Sequence, residues 1–244
     1  MRQLLILSLL LLGGCASMPA ETDISGIWIN QAAIDAAAQG QSLRESLNTH
    51  GRNLEWDINT HTGKAQVSSG FERGEGQLLQ KSPNAWTVDY NGYGTDELRL
   101  DGKRLTQLAK EYVPQQVFSR PGKTSKTKTG RVDTFRSALN AAYMGGQWKI
   151  IDSHGAGQRV EFTEDGHVSG LPGTDRYELC LDGDCASQGA GNDTLYLGTD
   201  DLSDTWIFVR KGKRLEIFQA INQSRPDEIP HFTPGPRQWL LVKQ

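Results

Sequence analysis

From residue 24 onward, the chain is dominated by short runs in which apolar and polar residues alternate. Residues 54–58 read Leu-Glu-Trp-Asp-Ile, and residues 86–90 read Trp-Thr-Val-Asp-Tyr. A period of two places the apolar side chains on one face of a half-buried strand. Weaker runs follow, punctuated by turn signals such as Asn91-Gly92 and Asp101-Gly102. The first half predicts eight short antiparallel strands, which favour an up-and-down barrel.

Two short stretches occur twice in the same order. Ser25-Gly26-Ile27-Trp28 corresponds to Gly145-Gly146-Gln147-Trp148, each at the start of a strand-like run. Later in each half, Asp101-Gly102-Lys103-Arg104-Leu105 corresponds to Lys211-Gly212-Lys213-Arg214-Leu215. Paired markers at similar separations indicate an internal repeat. The sequence therefore predicts an all-β protein with two tandem eight-stranded barrels and short helices.

Two segments have helical patterns. Residues 31–48 are rich in Ala, Gln and Leu, and Gly40 divides them into two short helices. The second has a capping box, in which Ser42 precedes Glu45. This segment is either a lid over a barrel mouth or a plain surface connection. Residues 133–143 predict a further helix, which we expect to pack against the second barrel.

These patterns define the domain boundaries. We expect barrels at residues 24–119 and 133–244, joined by a linker at 120–132. The linker is rich in Lys, Arg, Gly, Ser and Thr, and it either is solvated or touches anionic lipid head groups. A linker of this kind predicts few contacts between the halves, so each half is expected to fold alone.

The N-terminus has the pattern of a targeting segment. Leu4–Leu12 is an apolar run too short to span a bilayer, and Leu12-Gly13-Gly14-Cys15 follows it. This resembles the lipobox of bacterial lipoproteins. The resemblance implies a signal peptide at 1–14, lipidation including palmitate at Cys15, and a tether at 15–23. Ala16 implies sorting to the outer membrane, and we expect the anchored protein to face the periplasm. The alternative is an ordinary cleaved signal peptide.

The other two cysteines form a candidate disulfide. Cys180 and Cys185 flank Leu181-Asp182-Gly183-Asp184, which predicts a hairpin turn. An even pair in an oxidising compartment favours a structural bond. A redox or metal pair is the alternative, although no further ligand lies at zinc-like spacing.

Gly-x-Trp on the first strand of an eight-stranded meander resembles the lipocalin-like superfamily, and some bacterial envelope lipoproteins carry such barrels in tandem. The resemblance assigns structural roles to Gly26, Trp28, Gly146 and Trp148. It also implies a basic side chain from a late strand over each indole. By position in the repeat, the candidates are Arg104 and Arg214, with Arg237 as an alternative for the second barrel.

No catalytic pattern is evident. Asp152, Ser153 and His154 are adjacent, whereas catalytic triads are assembled from separated elements. We therefore expect no enzymatic activity, no cofactor and no metal. A formal net charge of −3 argues against a nucleic-acid partner.

The main functional hypothesis is an apolar small molecule or lipid bound inside the barrels. The alternative is an envelope protein partner docked on filled barrels, as for an inhibitor or an assembly factor. A large internal cavity would favour the first, and filled barrels would favour the second. The aromatic residues expected to line the interiors are Trp56, Trp86, Tyr90, Phe162, Tyr177 and Trp206.

Overall fold

The computed structural model describes residues 23–122, 134–199 and 201–244, so the predictions for the signal peptide, for Cys15 and for most of the linker lie outside the described residues. The first half is a closed antiparallel barrel, as predicted. Pairing of Ile29 with Ser119 joins its last strand to its first. The strands are β1 (Gly26–Ile29), β2 (Glu55–Asn59), β3 (Lys64–Ser68), β4 (Arg73–Ser82), β5 (Ala85–Asp89), β6 (Thr95–Asp101), β7 (Arg104–Gln107) and β8 (Gln116–Ser119).

The second half is also an eight-stranded antiparallel sheet, ordered β11-β10-β9-β16-β15-β14-β13-β12. It is nearly closed, because a single bridge between His167 and Arg176 spans the seam between β11 and β12. The strands are β9 (Gly146–Ser153), β10 (Arg159–Phe162), β11 (Val168–Ser169), β12 (Arg176–Leu179), β13 (Asp193–Gly198), β14 (Ser203–Lys211), β15 (Arg214–Asn222) and β16 (Phe232–Lys243).

Short helices complete the fold. As predicted, the segment after β1 forms two of them, and Ser42 caps the second by accepting a hydrogen bond from the Glu45 N–H at 3.1 Å. None of the helices in the described ranges is long and apolar enough to cross a membrane. The helices are α1 (Gln31–Ala38), α2 (Leu43–His50), α3 (Thr134–Leu139), its π-helical continuation (Asn140–Met144) and α4 (Asp184–Gln188).

The two Gly-x-Trp stretches build the same local structure. The Trp28 indole N–H donates to the Ile24 carbonyl at 2.9 Å, and the Trp148 indole N–H donates to the Met144 carbonyl at 2.8 Å. Gly26 and Gly146 have φ values of 101° and 104°, a region that residues with a Cβ rarely adopt. The glycine thus allows the backbone to turn at the start of the strand. The tryptophan that follows packs inside the end of the barrel at which this strand begins.

The structure places different cations over the indoles from those that the sequence predicts. The Arg120 guanidinium lies 3.9 Å from the Trp28 ring centroid, and the Lys243 ammonium lies 5.5 Å from the Trp148 ring centroid. Both follow or end the last strand of their barrel. Arg104 and Arg214 are exposed beside the preceding tight turns instead. Arg237, the alternative, pairs with Asp152 at 2.6 Å and with Glu216 at 3.2 Å.

The expectation of few contacts between the halves is wrong. The interior of the first barrel forms its own cluster around Trp28 and Trp56. The core of the second barrel, however, is continuous with buried residues of α1 and α2, such as Ile34 and Leu43. These helices lie between the barrels and are buried on one side, so the plain surface connection is wrong. They supply apolar surface that closes the second barrel.

Polar contacts fix the same interface. The buried Asp193 carboxylate of β13 accepts the backbone N–H groups of Leu43 and Arg44 at 2.8 and 2.7 Å, at the start of α2. The buried Arg210 guanidinium stacks on Tyr143 and donates to the Ala37 carbonyl at the end of α1. Carboxylates at helix N-termini and cations at C-termini are both favourable. The second barrel therefore holds both helices of the first half.

The predicted disulfide between Cys180 and Cys185 is present. The predicted hairpin is wrong, because β12 ends at Leu179 and the next strand begins only at Asp193. Gly183 instead caps α4, so the bond closes a strand-to-helix turn. Residues 180–185 are called the disulfide turn below.

Candidate functional site: the cleft between the barrels

Buried side chains fill the interior of the first barrel. Trp56 and Trp86, two of the expected ligand-lining residues, are 0% and 3% exposed. Tyr90 belongs to a polar network in which its hydroxyl donates to Asp96 at 2.8 Å and the Gln107 amide donates to Asp96 at 2.9 Å. Burial raises the pKa of the Tyr90 phenol well above its usual range. These side chains bind one another and form a packed core.

Aromatic side chains fill the second barrel in a similar way. The Phe162 ring packs edge-on against Tyr177, with ring centroids 5.1 Å apart, and also contacts Trp148. Trp206 packs against Trp239 at 5.0 Å. Burial raises the pKa of the Tyr177 phenol, whose hydroxyl donates to the Thr163 carbonyl at 2.7 Å. Tyr177 is the one of the six predicted lining residues that also borders the cleft described next.

A cleft of about 800 Å³ lies between the two barrels. Its first wall comes from the first barrel, with Glu55 on β2 and Phe71 in the β3–β4 turn. Its floor includes the polar side chains of α3, and its second wall follows the incomplete seam of the second barrel from Glu164 to Glu178. This volume is in the range of small-molecule sites. We call it the inter-barrel cleft.

Arginines in the cleft are engaged by neighbouring groups. The Arg136 guanidinium donates to the Leu179 carbonyl on the seam edge of β12 at 2.8 Å and pairs with Glu178 at 3.2 Å. It thereby satisfies a carbonyl at the edge of the nearly closed sheet. Glu55, which is only 2% exposed, accepts the Phe135 N–H at 2.7 Å and so caps the start of α3.

Asn140 and Glu164 both lie along the cleft. Asn140 is 2% exposed; its amide nitrogen donates to the Glu164 backbone carbonyl at 3.2 Å, and its Oδ1 has no hydrogen-bond partner. The Glu164 side chain is exposed, and no hydrogen bond or ion pair of its carboxylate is found among the described residues.

The disulfide turn forms another part of the cleft wall. Leu181 packs so tightly on Gly70 that a Cβ there would lie 2.9 Å from it, and Phe71 covers Gly183 in the same way. The Arg44 guanidinium of α2 donates to the Leu181 carbonyl at 3.0 Å. The wall therefore joins elements of both halves, so its shape depends on how the barrels are docked.

The comparisons with known proteins gave no match: no protein-family model, no curated protein and no solved structure is significantly similar to this chain. The function is therefore argued from the geometry of the chain itself.

Proposed function

We propose that the protein is a non-enzymatic, lipid-anchored protein of the bacterial outer membrane that binds a partner protein in the inter-barrel cleft. The cleft is the observation that carries the proposal. It combines charged, hydrogen-bonding and aromatic side chains from both halves around about 800 Å³. Packed barrel interiors, with Trp56 and Phe162 buried, support a docked partner over an apolar ligand held inside a barrel.

The location rests on the lipobox resemblance at Cys15, and the tandem Gly-x-Trp barrels support the proposed kinship with lipocalin-like envelope lipoproteins. Replacing Cys15 with Ala should release the protein from the membrane fraction, because acyl chains contribute about 0.8 kcal/mol for each buried methylene. Membrane association that survives both this change and a salt wash would contradict the lipid anchor.

Site-specific photocrosslinking in the bacterial host tests the partner site. Phe71 is 61% exposed at the cleft, so p-benzoylphenylalanine in its place keeps the ring and adds a reactive group. Tyr196 offers a second position on the opposite wall. Tyr93 is the matched control, because it is 94% exposed in the β5–β6 turn outside the cleft.

The expected result is one and the same polypeptide, identified by mass spectrometry, joined to positions 71 and 196 and absent at position 93. The purified polypeptide should then shift the backbone amide resonances of cleft residues. Equal labelling at all three positions, or none at positions 71 and 196, would contradict the proposed function.

A further inference from the structure

A row of cations crosses the outer face of the second barrel. Arg159 of β10 lies opposite Lys149 of β9. Arg214 of β15 lies opposite Lys211 of β14, and Val242 of β16 separates the two pairs. Residues directly opposite each other in an antiparallel sheet point to the same face, and all four cations are exposed. We call Lys149, Arg159, Lys211 and Arg214 the basic row.

The pairing of like charges in the basic row is unfavourable for the fold. Charges of the same sign directly opposite each other in a sheet destabilise it. Among the described residues, Arg214 is the only member of the row that has an ion pair, with Glu216 at 2.9 Å. Lys213, in the turn between β14 and β15, adds a further exposed cation. The row therefore presents a concentration of positive charge in a chain whose formal net charge is −3.

The first barrel shows that the fold does not require this pattern. The hairpins β6–β7 and β14–β15 share four of five residues at their turns and differ in the first, which is Asp101 in one and Lys211 in the other. Asp101 lies opposite Arg104, whereas Lys211 lies opposite Arg214. Opposite charges across a strand pair are favourable. The same turn thus forms with an acid at this position, so the lysine of the second barrel needs a reason other than folding.

The barrel end beside the basic row is also positively charged. Lys243 directly follows Val242 of the row, and its ammonium lies over the Trp148 ring at this end of the barrel. Burial lowers the pKa of Lys243, and the charges of Arg210 and Lys213 lower it further. Cations close enough to shift the pKa of a lysine add their fields. This end of the second barrel therefore attracts anions over more than a single contact.

The shape of the basic row favours an extended anionic surface over a small ligand. Five adjacent strands, spaced about 4.8 Å apart, spread the row over roughly 20 Å. The row lies on the outer face of the sheet, and none of its residues lines the inter-barrel cleft. Two exposed aliphatic side chains, Ile151 and Val209, lie two positions along the strands from Lys149 and Lys211. A bilayer with anionic head groups offers such a surface, to which each nearby Lys or Arg is attracted.

We infer that the basic row binds a membrane surface that contains anionic phospholipids. The inference rests on the proposed function only for the nearby bilayer, which the lipid anchor supplies, and it does not involve the cleft. An anchored protein meets this surface at a high effective concentration. Weak electrostatic contacts then suffice to hold the second barrel against the head groups.

Cosedimentation of the full chain with lipid vesicles tests the inference, in a Cys15→Ala background so that no acyl chain contributes. The vesicles consist of phosphatidylcholine alone or of equal amounts of phosphatidylcholine and phosphatidylglycerol. Lys211→Asp gives the second barrel the residue of the first. Lys103→Asp is the matched control, because it makes the same charge change at an exposed position of the β6–β7 turn. All variants share the same N-terminal segment, so differences between them report on the substituted positions.

We expect stronger binding to the anionic vesicles than to the neutral ones. Lys211→Asp should weaken the binding to anionic vesicles at least about fivefold, and Lys103→Asp should leave it unchanged. Lys211→Asp should also unfold at no lower urea concentration than the parent, because an opposite-charge pair replaces a like-charge pair. Equal binding to both kinds of vesicle, an equal effect of the two Lys→Asp changes, or lower stability of Lys211→Asp would overturn the inference.

Competition separates a lipid surface from other anions. Inorganic phosphate should displace the protein from anionic vesicles no better than sodium chloride of the same ionic strength. Stronger displacement by phosphate would assign the row to a free phosphate ion and overturn the inference. Binding of polyglutamate without binding of anionic vesicles would assign the row to an acidic protein and overturn it as well.

The two proposals fail in different ways. Crosslinks at positions 71 and 196 without binding of anionic vesicles would leave the partner site standing and refute the membrane contact of the basic row. Charge-dependent vesicle binding without any crosslink would support the basic row and refute the partner protein.

Discussion

The two barrels share a device for starting the fold but differ in how they are closed. In both, a glycine with positive φ precedes a buried tryptophan whose indole N–H bonds to a carbonyl just before the strand. The first barrel closes its own sheet and has its own core. The second leaves a seam between β11 and β12, and α1 and α2 of the first half complete its core. The repeat therefore produces two similar sheets. The helices α1 and α2, which follow β1, pack into the core of the second barrel and so join the two halves.

The largest expected effects are at the two tryptophans. Trp28→Ala and Trp148→Ala should each lower the free energy of unfolding by about 3–5 kcal/mol, as for other buried large aromatics. Because Trp148 belongs to the core shared by both halves, its loss should disturb both barrels, whereas Trp28→Ala should act mainly on the first. Urea unfolding with two-dimensional NMR measures both effects. Damage confined to the second barrel in Trp148→Ala would contradict the shared core.

The next effect is expected at Asp193, which joins the second barrel to α2. Asp193→Ala leaves the N–H groups of Leu43 and Arg44 without their acceptor, so stability should fall by about 2–4 kcal/mol. Asp193→Asn keeps one acceptor and should lose less. Thermal and urea unfolding of the two variants give the comparison, and equal stability of Asp193→Ala and the unaltered protein would contradict the role of this carboxylate.

Burial also makes the Asp193 interface sensitive to pH. Burial raises the pKa of Asp193 above 3.8, although the hydrogen bonds from Arg44 and Leu43 oppose the shift. The folded protein then retains this proton at pH values where the unfolded chain loses it. This contribution to stability is present at low pH and is lost as the pH rises from 3.8 through the folded pKa. Asp193→Asn should lack this component when stability is measured against pH.

A smaller effect is expected for the disulfide turn. Cys180→Ser opens a very short loop, so the loss should be about 2 kcal/mol and the fold should persist. Because Leu181 and Arg44 meet at this turn, the change should appear in the cleft wall more than in the first barrel. Hydrogen exchange of residues 176–199 measures it, and unaltered exchange there would argue against a role for the bond in shaping the cleft.

The smallest losses of stability are expected for the two cations over the indoles. Arg120→Met and Lys243→Met keep most of the stem and remove the charge. Loss of an exposed cation–π contact is worth about 0.5–1 kcal/mol, and the closer Arg120 should contribute more than Lys243. Chemical denaturation of the paired variants tests this order. A larger loss of stability for Arg104→Met or Arg214→Met would instead support the cations that the sequence predicts.

The sequence predicts most of the elements, with the exception of α4 in place of the expected hairpin, and it does not predict how the barrels dock. Period-two runs, the repeated Gly-x-Trp stretch and the split at Gly40 predict the strands, the barrels and two short helices. Position within the repeat predicts the wrong cations over the two indoles. The last strand brings Arg120 and Lys243 back to the start of each barrel, and that return depends on closure of the sheet.

The cleft has no sequence pattern because many of its residues are polar strand and turn positions that resemble a solvated surface. Glu55 and Glu164 are far apart in the sequence, and only the docking of the barrels brings them to one cleft. One signal was accessible: Asn140 directly follows Leu139 and precedes Tyr143 within the predicted helix, and both of these apolar residues are buried. A polar residue between buried apolar residues indicates a polar contact at the helix surface.

Native-state hydrogen exchange of Ile34→Ala tests most directly whether the helices of the first half complete the second barrel. Ile34 lies on α1, is 1% exposed and belongs to the core of the second barrel. Its truncation should cost about 2–5 kcal/mol and reduce protection of amides in β9–β16. Leu78→Ala, in the separate core of the first barrel, is the control and should affect β1–β8 more. Loss of protection restricted to residues 23–122 in Ile34→Ala would contradict the account.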